Sequence, residues 1–225
     1  SFSNDYGHGG RFYGGWWVCC KRENRPYITI NNEPTVECDY TAHHLHILHA
    51  MNNVELPNHY EDPYCISDDY PREVIKLVIN HNFNCSGERG VINHLKELST
   101  SDDPKKADDK DLVNEFIPTD ASKNDVLDLI YDAYPLLTEH TSSRLGLKLM
   151  YEDSRLANYL FCCMTGVQIP TLGIHDSFIV SYRHEELLKS EMQRIYRTLF
   201  NWECTVPKIE SKATFDTRVL QFFGE

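Results

Sequence analysis

The sequence predicts an α+β fold: a small antiparallel sheet with flanking helices, interrupted by a mainly helical insertion. Three observations predict it. First, Tyr27-Ile28-Thr29-Ile30 and Thr35-Val36-Glu37-Cys38 are β-branched runs on either side of Asn31-Asn32-Glu33-Pro34, which is hairpin chemistry. Second, Pro170 to Val180 shows a related design, with Asp176 in the turn of Ile174-His175-Asp176-Ser177-Phe178-Ile179-Val180. Third, between these two regions apolar residues return at helical spacing instead of alternating. Strands from both parts of the chain are therefore expected to share one sheet.

Residues 1–26 are rich in glycine and aromatics, which suggests an irregular, close-packed backbone with Tyr13, Trp16 and Trp17 as core. After Asp39 a helix is expected from Thr41 to Met51, carried by Leu45, Ile47 and Leu48. His43, His44, His46 and His49 lie in it; with no HExxH pattern they read as a polar helix face. Asp62-Pro63-Tyr64 opens a new segment. A helix follows from Arg72 to Phe83, with Val74, Ile75, Val78 and Ile79 on its apolar face. Arg72, Lys76 and Asn80 line another face of it at i, i+4 and i+8. Val91–Leu98 reads as a short helix, and the acidic run Ser101–Asp111 as a solvated loop. Ser122-Lys123-Asn124-Asp125 offers N-caps for a helix to Tyr134, stopped by Pro135. A long helix is expected over 144–165, with Glu152 and Asp153 facing either solvent or a template or metal. Glu185–Phe200 is an amphipathic helix whose His184-Glu185-Glu186 start is favourable N-terminal charge. Val206–Ile209 adds a final strand before the aromatic Leu220-Gln221-Phe222-Phe223. Residues 1–50 and 166–225 would form one region and 51–165 another.

Bulk properties narrow the class. With 225 residues and 41% hydrophobic content, one large domain or two small ones can bury a core. No stretch approaches the roughly 18 apolar residues of a membrane span, so no membrane partner is expected. Eight cysteines (Cys19, Cys20, Cys38, Cys65, Cys85, Cys162, Cys163, Cys204) form no CxxC, which suits buried reduced thiols in a cytoplasmic setting. A net charge of -12 argues against nucleic-acid affinity of the simple basic-footprint kind. The chain starts at Ser1 instead of Met, which suggests an upstream region beyond it.

The chemistry-bearing pattern is a pair of aspartates, each at a strand end: Asp39 in Val36-Glu37-Cys38-Asp39-Tyr40, and Asp176. Two carboxylates on one sheet suit a phosphoryl-transfer site with two cations about 3.5–4 Å apart, clamping the attacking and leaving oxygens.

These residues carry a family resemblance. Asp39-Tyr40-Thr41-Ala42 followed by Leu45-His46-Ile47-Leu48-His49-Ala50 resembles the first palm motif of family-A DNA polymerases. His175-Asp176-Ser177-Phe178 resembles their last palm motif, its Ser-Phe ending being closer to single-subunit phage-type RNA polymerases. Arg72-x-x-x-Lys76 looks like the fingers helix of both groups, and Gly10-Arg11 with Arg25 is similar to the stretch preceding the first motif. The resemblance implies a palm with a small antiparallel sheet (1–50 and 166–225) and helical fingers (51–165). It implies nucleotide addition to a nucleic-acid 3′-hydroxyl, in DNA replication or RNA synthesis, with primer/template and nucleoside triphosphates as partners.

Residue by residue, Asp39, Asp176 and the Tyr40 carbonyl would ligate two Mg²⁺, with Mn²⁺ as a substitute. Lys76, also counted as catalytic, and Arg72 would hold the incoming triphosphate. His175 would lie beside the primer end, and Arg11 and Arg25 along the nucleic-acid backbone. His44, Asn80 and Asn84 fall where the family contacts the nucleotide, but they depart from its pattern. His44 replaces a glutamate, Asn80 stands where an aromatic often selects the sugar, and Asn84-Cys85 replaces an aromatic and glycine. In the family a thumb precedes this region, so an upstream thumb or a partner subunit is expected. Two other readings stand beside this one: a polymerase-like module without catalysis, serving in binding or assembly, and a metal-dependent nuclease using the same carboxylates.

Overall fold

The structure, a computed structural model, describes residues 9–57, 62–139, 145–200 and 205–213. The chain divides into two compact units, Ser1–Glu55 with Leu149–Glu225, and Leu56–Lys148. The mixture of helices with one small antiparallel sheet is the expected α+β class.

The first unit is built on strands β1 (Thr29–Ile30), β2 (Glu33–Tyr40), β3 (Leu172–Ile174), β4 (Ser177–Ser181) and β5 (Ile209–Ala213). The order is β1-β2-β4-β3, and β5 also pairs with β2; every pairing is antiparallel. The turn between β1 and β2 is two residues shorter than the sequence suggests. Asn31 and Asn32 both take left-handed backbone, φ 53° and 64°, as a type I′ hairpin requires, so Glu33 and Pro34 already belong to β2. Pro34 opposite Thr29 lies near the start of the strand, where a missing N–H does least harm. The last strand begins where the sequence reading ends, at Ile209, and runs on to Ala213.

Side chains alternate across the sheet. Val36, Cys38 and Tyr40 of β2 share a face with Phe178 and Val180 of β4. That face meets helices α7 (Leu145–Gly166) and α8 (Glu185–Leu199). The Phe161 ring of α7 stands 5.8 Å from Phe178, and the Tyr40 hydroxyl donates 2.7 Å to the Met192 carbonyl of α8. Gly173 of β3 lies on the same face, where a Cβ would come within 2.5 Å of Phe161 Cζ. The other face carries Glu37, Asp39, Ser177 and Ile179, with Ile28, Ile174 and Ile179 as an apolar cluster covered by Trp17 and Leu172.

Helix α1 (His43–Met51) follows β2 through Thr41 and Ala42, the latter in left-handed backbone at φ 49°. Its histidines correct the expectation of a polar face. His43, His46 and His49 are all buried, because α1 is covered on nearly every side. Exclusion from water pushes His46 down to about 4, with the neighbouring His43 adding to it. The aromatic segment is corrected in the opposite sense. Trp17 packs inward, but Tyr13 and Trp16 are 60% and 64% exposed, as the segment runs over the surface in short 3₁₀ turns (Trp16–Cys19 and Arg22–Tyr27).

The second unit is helical: α2 (Arg72–Asn84), α3 (Gly87–Ser99), α4 (Ala107–Phe116), α5 (Asp120–Ala133) and α6 (Leu136–Glu139). Val74, Ile75, Val78 and Ile79 of α2 are fully buried among Val91, Leu95, Val113 and Leu127, as their spacing requires. The acidic stretch is not a loop. The Asp103 carboxylate accepts 3.0 Å from the Lys105 N–H, a 3₁₀ turn covers Pro104–Lys106, and Asp108 and Asp109 sit in the first turn of α4, where the helix dipole favours them. Helix α5 starts earlier than its candidate caps, because Thr119 and Ser122 form a capping box. Lys123 is buried, with its ammonium donating 2.9 Å to the Ile117 carbonyl past the end of α4.

Among the described residues no helix is long and apolar enough to cross a membrane. The described cysteines are free, and only Cys38 is buried, so the expectation of buried thiols fails for the others. Cys204, Arg144 and the aromatic residues 220–223 lie outside the described residues.

Two outcomes follow from this packing. His46 binds its proton more weakly folded than unfolded, so the unfolded chain takes up more protons between about pH 6.5 and 4. Stability is full above that window and declines through it, by up to about 1.4 kcal/mol per pH unit for one such group. Thermal melts across pH 4–7 should show this slope summed over His44, His46 and His81, and His46→Asn should reduce it by one group's share. Gly173→Val should cost about 1–3 kcal/mol by forcing the Phe161 ring aside, with part regained in the Gly173→Val, Phe161→Leu double variant. Chemical denaturation measures both.

Candidate active site

The register of β2 against β4 builds the site. Asp39 is opposite Ser177, so Asp176, in the two-residue turn before Ser177, stands beside the end of β2. The Tyr40 N–H points to the Asp176 carbonyl at 3.5 Å, tying the two strand ends together. The carboxylates feel each other: burial raises the Asp39 carboxyl above its usual range, and the charge of Asp176 raises it further. The turn itself is strained, since His175 takes φ 58°, a position that favours glycine.

Two cations answer this acidity. Lys212 of β5 donates 2.8 Å to Asp39 Oδ2, and Arg25 approaches Glu37 Oε1 at 3.3 Å. Glu37 also accepts 2.7 Å from the Ser177 hydroxyl, which holds it flat against the sheet. Tyr40 is locked by its hydroxyl bond to α8 and by stacking on His43, ring centroids 4.7 Å apart.

A second cluster adjoins the first. Asp153 of α7 is only 1% exposed, which rules out the solvated face as one of its two expected places, and the Glu152 side chain is largely covered too. The Asp153 Oδ2 accepts 2.9 Å from Arg11 Nε, and its Oδ1 lies 3.5 Å from His43 Nε2. Burial alone would raise this carboxyl, but His43, Arg11 and His44 outweigh it and hold it at about 2. Arg11 also reaches His44 Nε2 at 3.3 Å, and burial beside His43 presses His44 down to about 4. Burial and the Arg11 charge lower His175 too, and its ring meets Tyr13 edge-on at 6.2 Å. A recess opens here, lined by Arg11, Phe12, Asp153, Phe161, Gly173 and His175.

Of the residues the sequence singles out, Asp39, Tyr40, His44, Asp176, His175, Arg11 and Arg25 belong to the first unit. Arg72, Lys76, Asn80 and Asn84 belong to the second, in register on one side of α2. Lys76, Asn80 and Asn84 are exposed, and the Asn84 amide donates 2.9 Å to the Asn80 carbonyl. Arg72 is held 2.6 Å from Asp62, and both Arg72 and Lys76 lie over the Tyr64 ring. Sequence reasoning missed Lys212, whose β-strand lay beyond the strand expected there, and the burial of Asp153. The i, i+3, i+6 spacing of His43, His46 and His49 was the signal for a buried histidine stripe.

The donor set suits Mg²⁺. Among the described residues no group of three His, Cys, Asp or Glu side chains is placed to hold a metal. The candidate donors are two neighbouring carboxylates, Asp39 and Asp176, and Mg²⁺ is commonly bound by one or two carboxylates, with water and substrate phosphates completing its octahedron.

Removing the charge at Asp153 should be costly, because Arg11 and His43 would lose their buried partner. Asp153→Asn should lower stability by about 2–4 kcal/mol in urea unfolding. Glu152→Gln, one residue earlier, loses only its ion pair with the half-exposed Arg155 and should cost less, about 0.5–1 kcal/mol.

No family model matches the chain, and no curated protein matches it. Among solved structures it is similar to the POL domain of Pol1 from M. smegmatis in complex with DNA primer-template and dNTP. Identity is 11% and the TM-score 0.46, over 83% of this chain and 41% of that one. The chain thus spans less than half the length of that polymerase domain.

Proposed function

We propose that the chain is the palm and fingers of a nucleotidyltransferase, adding nucleotides from dNTP or NTP to a nucleic-acid 3′-hydroxyl. The observation that carries this reading is the β2–β4 register that sets Asp39 beside Asp176 at one end of the sheet. The first unit takes the role of palm and the helical second unit that of fingers.

Asp39, Asp176 and the Tyr40 carbonyl hold two Mg²⁺ ions, for which Mn²⁺ can substitute. When bound, these ions supply a lowered pKa for the attacking hydroxyl and charge neutralisation on the departing pyrophosphate. Asp39, near the end of a strand paired on both sides, and Asp176, in the tight turn beside it, would fix the position of that centre. Arg72 and Lys76, one helical turn apart on α2, take the triphosphate, with Arg72 exchanging Asp62 for phosphate. Asn80, Asn84 and His44 contact the nucleotide. His175 stands at the primer end, and Arg11 and Arg25 follow the nucleic-acid backbone, kept in place by Asp153 and Glu37.

One observation favours a second reading. The Asp39–Lys212 ion pair already neutralises one site carboxylate, as expected of a polymerase-like module that binds or assembles without catalysis.

Primer extension decides between them. With Mg²⁺ and a labelled primer, dNTPs and NTPs supplied separately and template present or omitted, the wild-type chain should lengthen the primer. Asp39→Asn and Asp176→Asn should each lower the rate by about two orders of magnitude or more. An unchanged primer in every lane supports the non-catalytic module, a shortened one a nuclease, and activity retained in either variant refutes the carboxylate assignment.

A further inference from the structure

Lys212 stands in a place that the proposed chemistry does not explain. It lies on β5, opposite Glu37 in register, and alternation puts its side chain on the acidic face with Glu37 and Asp39. Its ammonium does not stop at Glu37, its direct cross-strand neighbour, which is occupied by Arg25 and Ser177. It continues diagonally to Asp39 and closes to 2.8 Å. The pair is only partly covered, with side-chain exposures of 41% for Lys212 and 29% for Asp39. Water can therefore reach it, and its partners can separate without exposing a buried charge.

We propose that Lys212 is a resident counter-ion of the carboxylate pair, seated on Asp39 while no divalent cation is bound and displaced when one arrives. This inference rests on the assignment of Asp39 and Asp176 as cation ligands. The ammonium and the cation compete for the same oxygen, and a point charge on a flexible four-carbon stem is easily moved aside. Divalent affinity is lower by the strength of this contact, which also offsets the repulsion that Asp176 exerts on Asp39. The same lysine thus offsets the repulsion at the end of β2 and sets the cation concentration at which the site fills.

Mn²⁺ titration of the full chain, followed by the electron paramagnetic resonance of free Mn²⁺, tests the competition without reference to activity. Lys212→Gln should bind Mn²⁺ about fivefold tighter than wild type, the size expected from losing a partly exposed ion pair. Lys212→Arg, which keeps the charge, should stay near wild type, and Lys212→Met provides a second neutral variant should glutamine disturb the strand. In Mn²⁺-free buffer both neutral variants should melt at a lower temperature, and added Mn²⁺ should raise their melting temperature more than that of wild type. Equal or weaker binding in the neutral variants, with binding still abolished by Asp39→Asn and Asp176→Asn, overturns the counter-ion role and leaves the cation site standing. Binding that survives both aspartate substitutions, or is missing from every variant, overturns the cation site and the counter-ion role together.

Discussion

Everything at the site depends on one pairing register. With Asp39 opposite Ser177 and Glu37 opposite Ile179, the acidic positions of β2 fall on one face and the apolar positions on the other. A slip of a single residue would turn Asp39 and Glu37 into the layer occupied by α7 and α8, and Cys38 and Val36 out of it. The register is held from both sides. The hydroxyl of Tyr40 is bonded to α8, Phe178 is wedged against Phe161, and the Ser177 hydroxyl reaches Glu37 across the strands. Apolar packing on one face therefore fixes the polar chemistry of the other.

That arrangement concentrates negative charge, and the structure compensates for it locally. Glu37 has Arg25, Asp39 has Lys212, and Asp153 has Arg11 and His43. The three pairs differ in depth. Asp153 is sealed from water and its pairing is structural, whereas Asp39 sits at the rim with a partner that solvent can replace. The protein's net charge of -12 therefore says little about this neighbourhood, where most carboxylates face a cation of their own.

How legible was this in the sequence? The strand-turn-strand around Asp176 and the apolar face of α2 were readable, because period-2 and period-3.6 patterns report burial directly. The helix from Ala107 was not, since its first turn is acidic, its apolar content is low and no side-chain cap marks its start. Asp153 and the α1 histidines share one difficulty: polarity does not report exposure, and the partner of His43 is Asp153, 110 positions away in sequence. Tyr13 and Trp16 failed in the reverse direction, as large rings left on the surface. Lys212 was invisible because nothing local to it marks a partner on β2. The α+β class was legible; which charges meet was not.

The sheet draws its strands from the two extremes of the described chain, with a self-contained helical unit threaded between them. During synthesis the helical unit has all its partners available early and can close on local contacts. Strand β2, by contrast, emerges with only the two-residue β1 to pair with and must wait for β4 and β5. For most of translation its edges are open to any passing extended segment. Its proline and its acidic residues Glu33, Glu37 and Asp39 are the features that disfavour pairing of this waiting strand with a wrong partner on the ribosome.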